Sequence, residues 1–198
     1  MMLINSFLVS PSTQPYDLYF SFNGNLTNTG TLSGVASTPD TTATYTANGV
    51  ELSVGQRIVV DAAALELSTS NWQFSTTLNT STLSAAQNVF SKNDTGRGDG
   101  FEIGINTGGS IYFYKYGAGG TVFIQTSGGV IATNTSYVVD VYYDGTNVKI
   151  DIDGVNQLTS NQTGLNIVST GNPYRVGGIS SGVNDFTGTQ KNLYFNVN

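Results

Sequence analysis

The sequence predicts one all-β domain, a sandwich of two antiparallel sheets. Apolar and polar residues alternate with a period of two in many short segments. Turn-forming residues separate these segments about every 8–12 positions, as in sandwiches and barrels. Helical periodicity is nearly absent, and 198 residues suit a single all-β unit.

The first residues are predicted to form an arm ahead of the domain. We place the arm at 1–15, closed by Pro11 and Pro15, and the domain at 16–198. The arm carries an apolar cluster of Leu3, Ile4, Phe7, Leu8 and Val9.

Alternation then predicts strands along the rest of the chain. Asp144-Gly145 is a hairpin turn signal between two of them. Residues 81–89 are the one stretch that could form one or two helical turns. The predicted strand regions are 17–22, 50–60, 62–67, 72–77, 101–106, 111–116, 121–126, 137–143, 148–153, 174–177 and 192–197.

Composition excludes several classes of function. Seven basic and 13 acidic residues give a net charge of −6, so a nucleic-acid binder, which needs clustered cations, is excluded. Ten Phe, 11 Tyr and one Trp supply a core and argue against disorder. Without histidine or cysteine, Ser-His and Cys-His nucleophiles are excluded. No apolar run reaches 18 residues, so no membrane insertion is expected.

The composition also bears on location. The surface is rich in uncharged polar residues and poor in lysine, which is typical of proteins that work outside a cell. The N-terminus lacks the basic region of a signal peptide. We therefore expect a phage virion protein, made in the host cytoplasm and exposed on the particle surface.

Several motifs, taken in order, resemble the concanavalin A-like lectin/glucanase superfamily in its laminin G-like branch. The most recognisable is the hairpin YVVDVYYDG at 137–145 with VKIDIDG at 148–154. The other motifs lie at 19–25, 71–75, 89–92, 174–178 and 186–195. The resemblance spans about residues 17–197 and implies a two-sheet jelly roll whose concave sheet often binds glycans. The closely spaced Glu-x-Asp-x-x-Glu carboxylates of the hydrolase branch do not occur here.

The loop 91–100 is the densest charged segment. Arg97, beside Asn93 and Asp99, would clamp a sugar through forked hydrogen bonds. Asn93, Asp94 and Asp99 offer oxygen ligands that would suit Ca²⁺, although their spacing does not match an EF-hand. The alternative is a solvated connection held by its own turns. We assign no metal site or cofactor, and calcium stays an open alternative.

Tyr112, Tyr114 and Tyr116 form an alternating stripe on one strand. If Ile111 and Phe113 point into the core, the three tyrosines face outward, where aromatic rings stack on sugars. The alternative is cross-strand packing. We assign Asn93, Arg97, Asp99 and the three tyrosines to glycan binding.

Acidic residues that could support catalysis are few. Asp151 and Asp153 share a strand face at i and i+2, and Glu102 could point into a groove. A glycosidase needs two carboxylates roughly 5–9.5 Å apart, and neither choice supplies a clear pair. We therefore predict a protein that is not an enzyme, with no catalytic residues.

Two functions remain. The first is weak, multivalent glycan binding by a head-decoration or tail protein of a phage. The second is assembly alone, in which the apolar arm docks on other virion subunits or on another copy of this chain. Packing of the arm along the sandwich itself is the alternative to both docking modes.

Overall fold

A computed structural model describes residues 17–22, 26–32, 35–39, 43–62, 65–93, 98–168, 171–179, 181–182 and 184–198. The predicted arm at 1–15, with its docking residues Leu3, Ile4, Phe7, Leu8 and Val9, lies outside these ranges. Arg97 and Asp94 of the charged loop also lie outside them.

The described chain forms fifteen strands and no helix, so no helix that could cross a membrane occurs in it. The strands, in chain order, are β1 (Leu18–Phe20), β2 (Ala36–Pro39), β3 (Thr44–Thr46), β4 (Gly49–Leu52), β5 (Ile58–Asp61), β6 (Trp72–Thr80), β7 (Gln87–Asn93), β8 (Gly100–Ile105), β9 (Ile111–Tyr116), β10 (Val122–Gln125), β11 (Tyr137–Tyr143), β12 (Asn147–Ile152), β13 (Val155–Asn161), β14 (Tyr174–Val176) and β15 (Gly188–Val197).

The strands form two antiparallel sheets. The first sheet has the order β13-β12-β11-β6-β15-β4-β3, and β1 also pairs with β15. The second sheet has the order β10-β9-β8-β7-β14-β5-β2. The predicted fold class, a two-sheet antiparallel sandwich, is confirmed.

Aromatic residues from both sheets fill the space between them. Trp72 and Phe74 of β6 point inward, and Phe74 stacks on Phe90 of the second sheet with ring centroids 4.8 Å apart. The Trp72 ring lies 5.3 Å from that of Phe113. Full burial of each such side chain contributes roughly 1.5–3 kcal/mol, so these rings are major contributors to folding. The expectation that the one tryptophan of the chain, Trp72, belongs to the core is confirmed.

The prediction of one or two helical turns at 81–89 is wrong. The chain turns through 81–86 without a helix, and β7 already begins at Gln87. The Gln87 side chain bonds to Thr80 and Thr187, and the Asn88 N–H donates to the Asn184 carbonyl at 2.6 Å. These long-range partners satisfy the segment as a strand, so local helix bonds are not needed.

Candidate functional site

The tyrosine stripe lies on the outer face of the second sheet. Ile111 and Phe113 are fully buried in the core, so the alternate residues of β9 point outward. Tyr114 stands opposite Glu102 of β8 on one side and opposite Phe123 of β10 on the other. The stripe therefore crosses the centre of a three-stranded part of the sheet that ends at edge strand β10.

Two of the three tyrosines are nearly buried, although they point outward. Tyr112 and Tyr116 are each only 4% exposed. The Tyr112 hydroxyl donates to Asn88 Oδ1 at 3.1 Å. Tyr112 also lies over Gly104, where an added Cβ would stand 2.4 Å from the Tyr112 hydroxyl oxygen. Gly104 thus makes the space that this ring fills.

A buried hydrogen-bond network holds Tyr116. Its hydroxyl donates to Glu102 Oε1 at 3.1 Å and accepts from Asn93 Nδ2 at 2.7 Å. Asn93 Nδ2 also reaches Glu102 Oε1, at 3.3 Å. Asn93 is fully buried and Glu102 is 1% exposed. In this structure these three side chains hold one another, and a direct contact between a ligand and Asn93 or Tyr116 stays a prediction.

The exposed part of this surface is formed by Tyr114 and Phe123. Tyr114 is half-buried, and Phe123 is 51% exposed on edge strand β10. The two rings meet edge to face, with centroids 5.5 Å apart and an interplanar angle of 89°. Tyr114 in turn contacts Tyr116 edge to face at 5.2 Å. We call Tyr112, Tyr114, Tyr116 and Phe123 the aromatic patch.

Sequence reasoning missed Phe123. The signal was present, because Gly117–Gly120 is a turn between two alternating segments. Pairing those segments as a hairpin places Phe123 directly opposite Tyr114. Gln125, two residues on, faces the same way, and its side-chain oxygen accepts from Asn106 Nδ2 at 2.6 Å. An exposed amide pair therefore flanks the aromatic patch.

Asp99 and Lys115 brace the turn beside the aromatic patch. Asp99 Oδ1 accepts from the Ala118 N–H at 2.9 Å. The Lys115 ammonium is directed to the Ala118 and Gly120 carbonyls at 2.6 Å each. Burial lowers the pKa of Lys115, and the charge of Asp99 opposes that change. In the described residues Asp99 therefore supports the β9–β10 turn, and its predicted contact with a sugar stays a prediction.

The outer face of the first sheet carries a second group of charged residues. Asp140 of β11 pairs directly with Asp151 of β12. Asp151 accepts from the Tyr142 hydroxyl at 3.1 Å and from Asn156 Nδ2 at 2.7 Å. Burial raises the pKa of Asp140; a hydrogen bond from Ser75 opposes the rise, and the Asp151 charge adds to it. Sequence reasoning singled out Asp151 but missed this partner.

The candidate acids do not form one site. Glu102 faces outward from the second sheet and Asp151 faces outward from the first, so the sandwich separates them. Asp153 lies in the β12–β13 turn, where its carboxylate accepts from the Val138 N–H at 2.8 Å. Among the described residues, no three Asp or Glu side chains gather as metal ligands would. This statement does not cover Asp94.

The sequence matches one family model. The model is a laminin G type described as the concanavalin A-like lectin/glucanases superfamily, and the match covers residues 52–194. No curated protein matches the chain.

Several solved structures share the fold. Domain 4 of AbnA, an extracellular arabinanase from Geobacillus stearothermophilus solved with arabinotriose, gives a TM-score of 0.69 at 16% identity and covers 91% of both chains. The CBM40 of a Ruminococcus gnavus sialidase, bound to α2,3-sialyllactose, gives 0.60 at 18% identity, covering 68% of this chain and 79% of that one. The binding domain of botulinum neurotoxin serotype G gives 0.70 at 15%, covering 91% of this chain and 47% of that one. At these identities the likeness shows the fold alone.

Proposed function

This chain belongs to the concanavalin A-like lectin/glucanases superfamily, and we propose that it binds glycans through the aromatic patch without transforming them. The observation that carries the proposal is the Phe123 ring, 51% exposed and held edge to face against Tyr114. An apolar ring kept in water at a fixed angle suits stacking on the CH face of a sugar. The Tyr114 hydroxyl and the Gln125 amide would hydrogen-bond to sugar hydroxyls beside it.

Pre-organisation supports this proposal. Tyr114 is held by Tyr116 on one side and Phe123 on the other, and Tyr116 is fixed by Glu102 and Asn93. A ring that is already fixed loses little rotamer entropy on binding. The solved carbohydrate-binding domains with bound oligosaccharides support the proposal further, since they share this fold.

Each patch is small, so we expect weak affinity for a single site. Many copies on one support would raise the effective affinity through multivalency. The proposal is therefore tested on a glycan array with the multimerised protein. Binding should be lost in Phe123→Ala and Tyr114→Ala.

The matched control is Val155→Ala. Val155 is 60% exposed on β13, the edge strand of the other sheet, so its truncation removes a similar kind of exposed apolar surface. Glycan binding that persists in Phe123→Ala, or that falls equally in Val155→Ala, would show that the aromatic patch is not the binding site. An array without signal would remove glycan binding. Release of reducing ends from a bound polysaccharide would contradict the absence of catalysis.

We further propose that the protein acts on the surface of a phage particle. The support is its composition, since only 10% of residues are charged and uncharged polar residues dominate. Mass spectrometry of purified virions should detect the chain, and its copy number would separate head decoration from a tail position. Absence from purified particles would contradict this location.

The alternative of assembly without glycan binding rests on the apolar cluster of the N-terminal arm. Deletion of residues 2–10 should then abolish incorporation into particles while leaving the melting temperature of the domain unchanged. Normal incorporation of the deleted chain would exclude the arm as the docking segment. Since the aromatic patch is untouched by this deletion, the two functions are tested separately.

A further inference from the structure

A polar groove of about 330 Å³ lies on the outer face of the first sheet, on the opposite side of the sandwich from the aromatic patch. Its floor comes from neighbouring strands β6 and β15, at the centre of the sheet. Its walls come from the β3–β4 turn and from the residue that precedes β11. The side chains that define this groove are Thr77, Asn79, Thr189, Lys191, Asn48 and Ser136.

Local backbone features shape the groove around Lys191. The pairing of β15 with β6 shifts register between Lys191 and Tyr194, so Lys191 is the last residue before a bulge. Gly49 faces it with φ of 122°, and an added Cβ there would stand 2.3 Å from the Gln190 carbonyl oxygen. Only glycine at this position lets β4 come so close to β15. The lysine stem is thus fixed beside the turn that carries Asn48.

The groove is lined by hydrogen-bond donors and one cation. The Lys191 ammonium donates to the Ala47 carbonyl at 3.3 Å, which uses one of its three protons. Within the described ranges no carboxylate lies within 4 Å of it, whereas Lys149 on the same sheet contacts Asp144 at 2.8 Å. Asn79 Nδ2 makes only a long bond, 3.4 Å, to Ser136 Oγ. Glu51, opposite Thr189 on β4, is the neighbouring acid and does not line the groove.

We propose that this groove binds a carboxylate-bearing sugar, a uronic or sialic acid residue of a glycan. The ammonium would pair with the carboxylate, because a charge-assisted hydrogen bond is stronger than a neutral one. The amides of Asn48 and Asn79 and the hydroxyls of Thr77 and Thr189 would serve the ring hydroxyls. The volume lies at the lower end of small-ligand pockets, as a single sugar ring requires, and exceeds what a bare ion needs.

This site is independent of the aromatic patch, since no residue is shared and the two lie on opposite outer faces. A domain with both sites would bridge two glycan chains, or two parts of one branched chain. The ion pair between the Lys191 ammonium and the sugar carboxylate would weaken as the salt concentration rises, because the groove is open to solvent.

The test is an NMR titration of the whole chain with glucuronate and N-acetylneuraminate, and with glucose as the neutral probe. We expect saturable shifts at roughly millimolar concentration for the acidic sugars. Lys191→Met should weaken binding about tenfold or more by removing the charge while keeping the stem. Asn79→Ala should weaken it as well.

Lys149→Met is the matched control, since it removes one ammonium from the same face outside the groove. The shifts are followed at the backbone amides of Thr77, Asn79 and Thr189, because a sugar bound at the aromatic patch would shift β9 and β10 instead. Lys149→Met should leave the titration of these groove amides unchanged. The proposal is overturned by equal glucose-induced shifts at these groove amides, by equal loss in Lys149→Met, or by the absence of a saturable shift there. Equal binding of sodium sulfate would overturn the assignment to a sugar, leaving a simple anion site.

Discussion

The outer faces of the two sheets differ, although the inner faces are built alike. On both sheets alternate residues enter one shared core. On β7 and β8 of the second sheet the outward side chains are also almost out of solvent, with Asn93 at 0% and Glu102 at 1% exposure. On the first sheet Lys149 and Asp144 retain about a third of their side-chain exposure, at 30% and 34%.

This difference shows that the direction of a side chain and its exposure are separate properties. The part of the second sheet's outer face around β7 and β8 works as a small polar core. Among the described residues of β7 to β10, the outward side chains open to a ligand lie at the rim, at Tyr114, Phe123 and Gln125. The first sheet's outer face is wet, so its polar groups are free to exchange water for a ligand. Equivalent substitutions on the two faces should therefore have unequal effects.

The largest difference should come from a small substitution on each outer face, a methyl group added on the second sheet and a threonine truncated on the first. In Gly104→Ala the new Cβ would stand 2.3 Å from the Gln87 carbonyl oxygen and 2.4 Å from the Tyr112 hydroxyl. We expect a loss of about 3 kcal/mol in the free energy of unfolding, because overpacking forces the backbone or the ring to move. Urea denaturation measures it. Thr77→Ala on the first sheet, the comparison variant, should change it by about 0.5 kcal/mol or less.

Removing a buried lysine and an exposed lysine should give the next largest difference. Lys115 lies on the inward side of β9 and is 1% exposed, and its ammonium bonds to the Ala118 and Gly120 carbonyls. Lys115→Met should cost about 2 kcal/mol, since hydrogen bonds from a buried charge are lost. Lys149→Met removes an exposed ion pair and should leave the thermal melting temperature unchanged. Equal losses in the two variants would mean that burial does not decide what a lysine contributes to stability.

Removing one phenol oxygen from each face should give a smaller difference. Tyr116→Phe leaves Glu102 and Asn93 without a shared partner inside a buried network. We expect a loss of about 1–2 kcal/mol. Tyr142→Phe removes only the half-exposed bond to Asp151 and should cost about 0.5 kcal/mol or less. Denaturation midpoints that fall equally would show that water reaches both hydroxyls alike.

Alternation predicted the direction of most side chains but not their exposure. Period two placed Ile111 and Phe113 on one side of the strand and the three tyrosines on the other, and the structure shows that the first side is the core. Nothing local indicates that Tyr112 and Tyr116 would be buried as well, since their partners Asn88, Asn93 and Glu102 come from other strands. Phe123 was predictable in principle, because the turn between β9 and β10 fixes its register opposite Tyr114.

The polar groove was not predictable from the sequence. Lys191 and Asn48 are about 140 residues apart in the chain, and they meet only because β15 pairs with β4. The bulge after Lys191 holds Asn192 at a φ of 52°, but one asparagine does not identify a bulge in a chain rich in asparagine. Long-range pairing and the position of the bulge are decided by the whole core, which a local pattern does not contain.

The smallest effect should be a pH dependence specific to the first sheet. Burial raises the pKa of Asp140 above 3.8, so in the folded state its charged form is disfavoured. The folded state therefore favours the neutral carboxyl of Asp140. The stability that this preference contributes is complete below pH 3.8 and is lost as pH rises through the raised pKa. Asp140→Asn should therefore have a higher melting temperature than the parent at pH 7, with a free energy of unfolding larger by about 1 kcal/mol or less. At pH 3 the two proteins should melt at the same temperature.

Asp144 supplies a control of opposite sign on the same hairpin. Hydrogen bonds from Lys149 and from the Asn147 and Thr146 N–H groups lower its pKa. The two backbone bonds, which Lys149→Met leaves in place, keep a contribution that is present above the ordinary carboxyl range and lost as pH falls. Asp144→Asn should melt lower than the parent at pH 7 and approach it in acid. With no histidine in the chain, melting temperatures should stay nearly flat between pH 5.5 and 7.5, and a steep change there would mean that a strongly shifted carboxyl group titrates in that window. A lower melting temperature for Asp140→Asn at pH 7 would mean that its ionised bonds to Ser75 and Gln73 outweigh burial.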